Sequence, residues 1–178
     1  MGEIIQGNSK LTKNLRIVVD SNFLVVLFLN SSGYSADVLR YIKEYHTLIM
    51  SDYIVYETLR VVERLAKKLQ YSPRKVNSWR LYLPQVADVM IVLPTDYTKI
   101  AQPYIRDKKD SGIFITALLA RANVLISNDK DLLENKKVKK YIDVVRLEGF
   151  EEYIKKSLTA RERLLLKTFL KKGENAPL

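Results

Sequence analysis

The chain contains no cysteine, which excludes disulfides and any zinc or iron–sulfur centre held by thiolates. Its 178 residues include one histidine, His46, so a bound metal would have to be held almost entirely by oxygen. Long apolar runs are missing as well. Nothing approaches the roughly eighteen residues of a membrane-spanning helix, and the opening MGEIIQGNSKLTKN lacks the apolar stretch of a secretory signal. A soluble, cytoplasmic protein with no membrane partner is the expectation. Glycine is scarce, six in all, and no GxGxxG or GxxxxGKS/T loop occurs, which argues against a nucleotide phosphate cradle.

Positive charge, by contrast, is abundant. The net charge is +10 and the isoelectric point lies near 9.6, so a polyanion is drawn to the surface with an affinity that falls as salt is added. Nucleic acid is the leading partner. Abundant lysine also serves solubility or adaptation to heat, and charge alone does not decide between the two. Hydrophobic residues make up 47% of the chain, enough for one core without staples.

Strand-like and helix-like stretches alternate along the sequence. This predicts an α/β protein, a three-layer α/β/α sandwich around a mainly parallel sheet of about five strands. Leu15 to Val19, Thr47 to Met50, Val89 to Leu93, Val124 to Ile126 and Asp143 to Leu147 read as strands. Helical spacing begins at Ser35-Ala36-Asp37, runs from Asp52 to Gln70, starts again at Ser72-Pro73 with serine as cap and proline in the first turn, and recurs at 97–102, 111–122 and 150–156. Residues 1–14 read as an N-terminal extension, 15–157 as the domain, and 158–178 as a helical extension with a frayed tail.

In a parallel sheet wrapped by helices, ligands collect at the carboxyl ends of the strands where the strand order reverses. Asp20 follows the first strand and Asp129 the fourth. Asp110 opens the helix that returns to that fourth strand, and Glu57 lies about two turns into the helix after the second. Singly, each is explained as a helix cap or a solvated charge, and Glu57 falls at the border of its helix's apolar face. Asp20, Asp110 and Asp129 are expected to converge on one edge of the sheet, with Glu57 about two turns from it, and the four persuade only as a set.

Three runs carry a resemblance: VVDSNFLVVLFL (18–29), SDYIVYETLRVV (51–62) and RDKKDSGIFITALLARANVLISNDKDLL (106–133). They are similar, in order, to the successive motifs of the PIN-domain nucleases, in particular the small toxin-type, VapC-like members, and the likeness extends to about Tyr153. In that family an Asp-Ser/Thr-Asn turn ends the first strand, as Asp20, Ser21 and Asn22 do here. A glutamate follows a serine-initiated helix, as Glu57 follows Ser51. The third acid precedes a small apolar helix, and the fourth closes a strand as Thr/Ser-x-Asp, matched by Ser127, Asn128 and Asp129, with Asp131 just beyond. Both Asp107 and Asp110 fit the third position; Asp110 is preferred because it stands directly before the helix.

The resemblance implies a catalytic and metal-binding set of Asp20, Glu57, Asp110 and Asp129, with Asp107, Asp131, Ser127 and Asn22 as accessory residues. Crowded carboxylates repel one another unless a cation intervenes, and an all-oxygen ligand set suits one or two Mg²⁺ or Mn²⁺ ions. Hydrolysis of phosphodiester bonds in single-stranded RNA follows as the expected activity. Arg106, Lys108, Lys109 and Lys130 adjoin the acids in sequence and are the candidate RNA-binding rim, whereas Lys136, Lys137, Lys139 and Lys140 read as plain surface and His46 as structural. A toxin role with an antitoxin partner is one implication; an RNA-processing nuclease and a catalytically silent RNA-binding module are the alternatives. The apolar face of the tail helix, with Val25, Val26 and Tyr34, is a candidate antitoxin or homodimer contact, although such a helix more often docks on its own domain. An aspartyl phosphotransferase is disfavoured, because Asn22 stands where a second aspartate would be needed.

Overall fold

The structure, a computed structural model, describes residues 14–105 and 107–156 together with 158, 160, 163, 166 and 170. Its centre is a five-stranded, wholly parallel sheet in the order β3-β2-β1-β4-β5. The strands are β1 (Arg16–Val19), β2 (Thr47–Ser51), β3 (Val89–Ile91), β4 (Val124–Ile126) and β5 (Asp143–Val145). Between them lie α1 (Ser21–Leu29), α2 (Tyr34–Tyr45), α3 (Asp52–Lys68), α4 (Pro73–Val86), α5 (Tyr97–Ala101), α6 (Lys108–Leu119) and α7 (Lys130–Leu133), and α8 (Phe150–Lys155) follows β5.

The chain winds outward from β1 through β2 to β3, then crosses back to the other side of β1 for β4 and β5. Right-handed crossovers in opposite directions place helices on both faces. The strand composition agrees. Ile17-Val18-Val19, Leu48-Ile49-Met50 and Val124-Leu125-Ile126 are all buried, without alternation, as expected of strands covered on two sides. The edge strand β3 is less covered, with Met90 exposed within it and Val92 just beyond its end.

Two departures from the expected elements matter for the site. The segment after Asp20 is the helix α1, SNFLVVLFL, a stretch in which no element is legible from the sequence. It is apolar on nearly every side because it is buried on nearly every side, so it has no amphipathic period to read. The helix expected from Ser111 begins instead at Lys108, with Asp107 as its cap. Most of the 158–178 tail lies outside the described residues; of those described, Leu166 and Leu170 are buried in the main core.

Candidate active site

The strand order reverses at β1 and β4, so the crevice expected of such a sheet opens at their carboxyl ends. Asp20 leaves β1 there. Its amide donates to the Ile126 carbonyl at 2.9 Å, which ties the turn to the end of β4. The Asp20 carboxylate caps α1 and is held from three directions. Oδ1 accepts from the Asn22 amide at 3.2 Å and the Ser21 hydroxyl at 3.0 Å, and Oδ2 accepts from Ser127 Oγ at 2.6 Å. Ser127 Oγ in turn accepts from the Asp129 amide at 3.1 Å. Asp129 then caps α7 by accepting the Asp131 amide at 2.7 Å. Asp107 does the same for α6 through the Lys109 amide at 2.8 Å. Helix N-termini thus present three carboxylates to one crevice, each fixed by backbone donors.

Asp110 differs. The sequence places it at the opening of its helix, with capping as its bland explanation, but Asp107 takes the cap and Asp110 turns inward from the first turn of α6. Burial, followed by the charges of Asp129, Asp107, Asp20 and Asp131, pushes its carboxyl up to about 7. One of its oxygens, Oδ2, is buried without a hydrogen-bond partner. Carboxylate oxygens of Asp107, Asp110 and Asp131 lie within 4.8 Å of one another. The two acids read from sequence as accessories therefore share a tight oxygen cluster with Asp110, and all four neighbouring aspartates act on it electrostatically, Asp129 most.

Glu57 approaches from α3. It is half-buried, and its Oε2 is also without a partner. Burial raises its carboxyl above the usual range and Asp20 adds to this, while the Ser21 hydroxyl, whose one proton can go to Glu57 in place of Asp20, and the charges of Arg60 and Lys109 oppose the rise. Ser21 consequently stands between Asp20 and Glu57, a role sequence reasoning gave it no credit for; its place in the Asp-Ser-Asn turn was the available signal. Asn22 contributes its backbone amide rather than its exposed side chain.

Helices α3 and α6, which carry Glu57 and Asp110, are fastened together below the acids. Tyr53 donates from its phenol to the Lys109 carbonyl at 2.8 Å, and deeper in, the hydroxyls of Thr116 and Ser51 are 2.7 Å apart.

Of the basic residues singled out in the sequence, Lys108, Lys109 and Lys130 are exposed around this edge; Arg106 lies outside the described residues. Asp107, Lys130 and Asp131 also form one wall of a cleft of about 480 Å³. His46 is remote from the acids. It follows α2 and precedes β2, at the amino end of the sheet, where it is buried and its Nδ1 faces the Leu15 amide at 3.4 Å.

The donors fit a hard divalent cation. Every candidate ligand is a carboxylate, Asp110 and Glu57 each hold a buried oxygen with nothing to bond to, and Asp110 resists ionisation because like charges surround it. A cation at this point would supply the missing partner and relieve the repulsion.

Comparison with known proteins agrees with this architecture. None of the curated proteins matches the chain. Among solved structures, a chain of VapBC2 from Rickettsia felis, crystallised bound to a DNA fragment from the promoter, superposes with a TM-score of 0.56. The match covers 74% of this chain and 98% of that one at 14% identity, a likeness of fold. The family model described as "PIN domain" matches residues 17–138, a span that runs from Ile17 in β1 past α7 and holds all of the acids above. The chain belongs to the PIN domain family, a family of nucleases.

Proposed function

We propose that this protein is a Mg²⁺- or Mn²⁺-dependent endoribonuclease that hydrolyses phosphodiester bonds in single-stranded RNA, with residues 15–157 as its nuclease unit. The observation that carries the reading is Asp110, a buried carboxylate with an unpartnered oxygen among four other aspartates. A solvated cap would have neither feature.

Asp20, Asp110 and Asp129 are the principal metal ligands in this reading. Asp107 and Asp131 stand beside Asp110, and Glu57 faces Asp20 from the other side, where a second ion or an intervening water would be held. Bound there, a divalent cation supplies activation of water and neutralisation of charge on the phosphate. The protein's own part is positional. Ser127 and Ser21 hold the Asp20 carboxylate in one orientation, the helix caps hold Asp107 and Asp129, and Asp110 gives up its proton when the cation arrives. Lys108, Lys109, Lys130 and Arg106 draw the polyanion to an edge that acids alone would repel.

Cleavage of labelled single-stranded RNA with Mn²⁺, Mg²⁺ or EDTA tests this, comparing the native chain with Asp20→Asn and Asp129→Asn variants matched for thermal stability. Metal-dependent cutting that both variants lose supports the proposal. Native protein that binds RNA and cuts nothing with either metal makes the chain a silent RNA-binding module instead. A toxin role, with an antitoxin as partner, is the biological setting favoured by the fold likeness to a chain of VapBC2. Growth arrest on expression, relieved by the protein encoded beside it, would separate that role from RNA processing.

A further inference from the structure

The cleft beside the acids extends the site in one direction. It lies between the turn after α5 and the stretch that follows α7, and Asp107 and Asp131 form the wall it shares with the acid cluster. Lys130, Lys136 and Lys137 line it, with Gln102 and Tyr104 opposite; Glu134 is the one acid in it outside the cluster. Through Gln102 and Ile105 it joins a second depression of about 370 Å³ that contains Lys99 and Lys108. Among the described residues no ion pair engages Lys99, Lys130 or Lys136, whereas the Lys137 ammonium donates to the Pro103 carbonyl at 2.8 Å and holds that wall in place.

An aromatic ledge accompanies the lysines. Tyr104 packs against Phe114 of the core with ring centroids 5.5 Å apart, and Tyr141 meets it edge-on at 5.3 Å. Tyr141 is 54% exposed, so a large part of its ring has no neighbour in the fold. Cations spaced along a groove with exposed aromatic surface beside it are the combination that holds single strands, since phosphates pair with lysine and unpaired bases stack on the rings. A base pair offers no such free face.

We infer that this groove, from Lys130 past Lys136 and Tyr104, with Tyr141 flanking Tyr104, and round to Lys99, is the track on which a single-stranded nucleic acid lies as it leaves the acid cluster. The inference rests on the nuclease reading for what happens at the acids, but not for binding itself. It also gives Lys136 and Lys137 a purpose that their sequence context, a lysine run resembling plain surface, did not suggest.

The test is fluorescence anisotropy of a labelled oligouridine with full-length Asp20→Asn protein in EDTA, so that nothing is cut. A Lys99→Ala/Lys136→Ala pair takes one cation from each depression. A Lys67→Ala/Lys68→Ala pair makes the same charge change at the exposed end of α3. The groove pair should weaken binding about tenfold and lower the salt slope by about 1.4, with the α3 pair within about twofold of the parent. Tyr141→Ala should weaken single-strand binding about fivefold and leave duplex binding as it was. Equal weakening by the two lysine pairs, or no effect of Tyr141→Ala on single strands, overturns the track. Because binding is read without cleavage, a protein that never cuts RNA would sink the nuclease reading and leave this result to stand by itself.

Discussion

The ring of Tyr53 rests on the backbone of Gly112 so closely that a Cβ on that glycine would lie 2.6 Å from Cε1 and nearer still to Cδ1. With the phenol bonded to the Lys109 carbonyl, this contact sets the spacing of α3 against α6. Burial, then Glu57, Tyr97 and Asp110, raises the phenol well above its ordinary value, so it remains a donor at any physiological pH.

Gly112→Ala should therefore be costly beyond its chemistry. The methyl group must displace an aromatic ring, which is overpacking of the kind that costs about 1–3 kcal/mol, and the shift separates Glu57 from Asp110. Thermal denaturation and Mn²⁺ affinity should both decline. In a Tyr53→Ala background, where the space is open, the added methyl should cost much less. Additive losses in the two backgrounds would show that the ring does not set the spacing.

Asp110 makes the metal-free protein pH-sensitive in a direction opposite to most aspartates. Its native carboxyl keeps a proton up to about pH 7, against about 3.8 for an ordinary aspartate. Between those values the folded state binds more protons than the unfolded chain, and stability falls as pH rises through them. Asp110→Asn should remove that dependence and stabilise the metal-free protein at pH 8 by about 1–2 kcal/mol after allowance for solvent screening. The same variant should lose both nuclease activity and the stabilisation that Mn²⁺ gives the native chain. Calorimetry with and without Mn²⁺ decides it; a variant less stable than native in EDTA at pH 8 contradicts the account.

The strands and the order of the acids were legible because their signals are local: unbroken β-branched runs in a doubly covered sheet, and acids placed at the ends of those runs. Helix α1 was not legible, because burial on all sides erases periodicity. The division of labour between Asp107 and Asp110 was also hidden, since both fit the first turn of one helix and only packing shows which faces inward. Ser21 and the groove lysines depend on the fold bringing together residues 36 or more positions apart, Ser21 with Glu57 and the depression of Lys99 with the cleft of Lys136, which no local pattern carries.

His46 should set an acid limit on stability. Burial lowers its imidazole from 6.5 to about 4, so the unfolded chain takes up a proton before the native state does. Stability is lost as pH falls below 6.5 and the loss is complete below about 4, worth at most about 3 kcal/mol. His46→Asn keeps an acceptor for the Leu15 amide and has no proton to gain. Urea unfolding at pH 7 and pH 4.5 should show a smaller acid loss in the variant than in the native chain, and equal losses would place the lability in the carboxylates alone.

Ser127 links two candidate metal ligands through one atom, donating to Asp20 Oδ2 and accepting from the Asp129 amide. Ser127→Ala leaves a buried carboxylate oxygen and a part-buried amide without their partner, at a cost of about 1–3 kcal/mol. It also frees the Asp20 carboxylate to rotate. Supporting hydrogen bonds of this kind are worth about 10- to 100-fold in metal affinity or activity, so the variant should need more Mn²⁺ to reach half-maximal cleavage. Once saturated, it should recover much of its rate, because every proposed ligand is still present. An unchanged Mn²⁺ requirement accompanied by a lower saturated rate would instead place Ser127 in contact with the substrate.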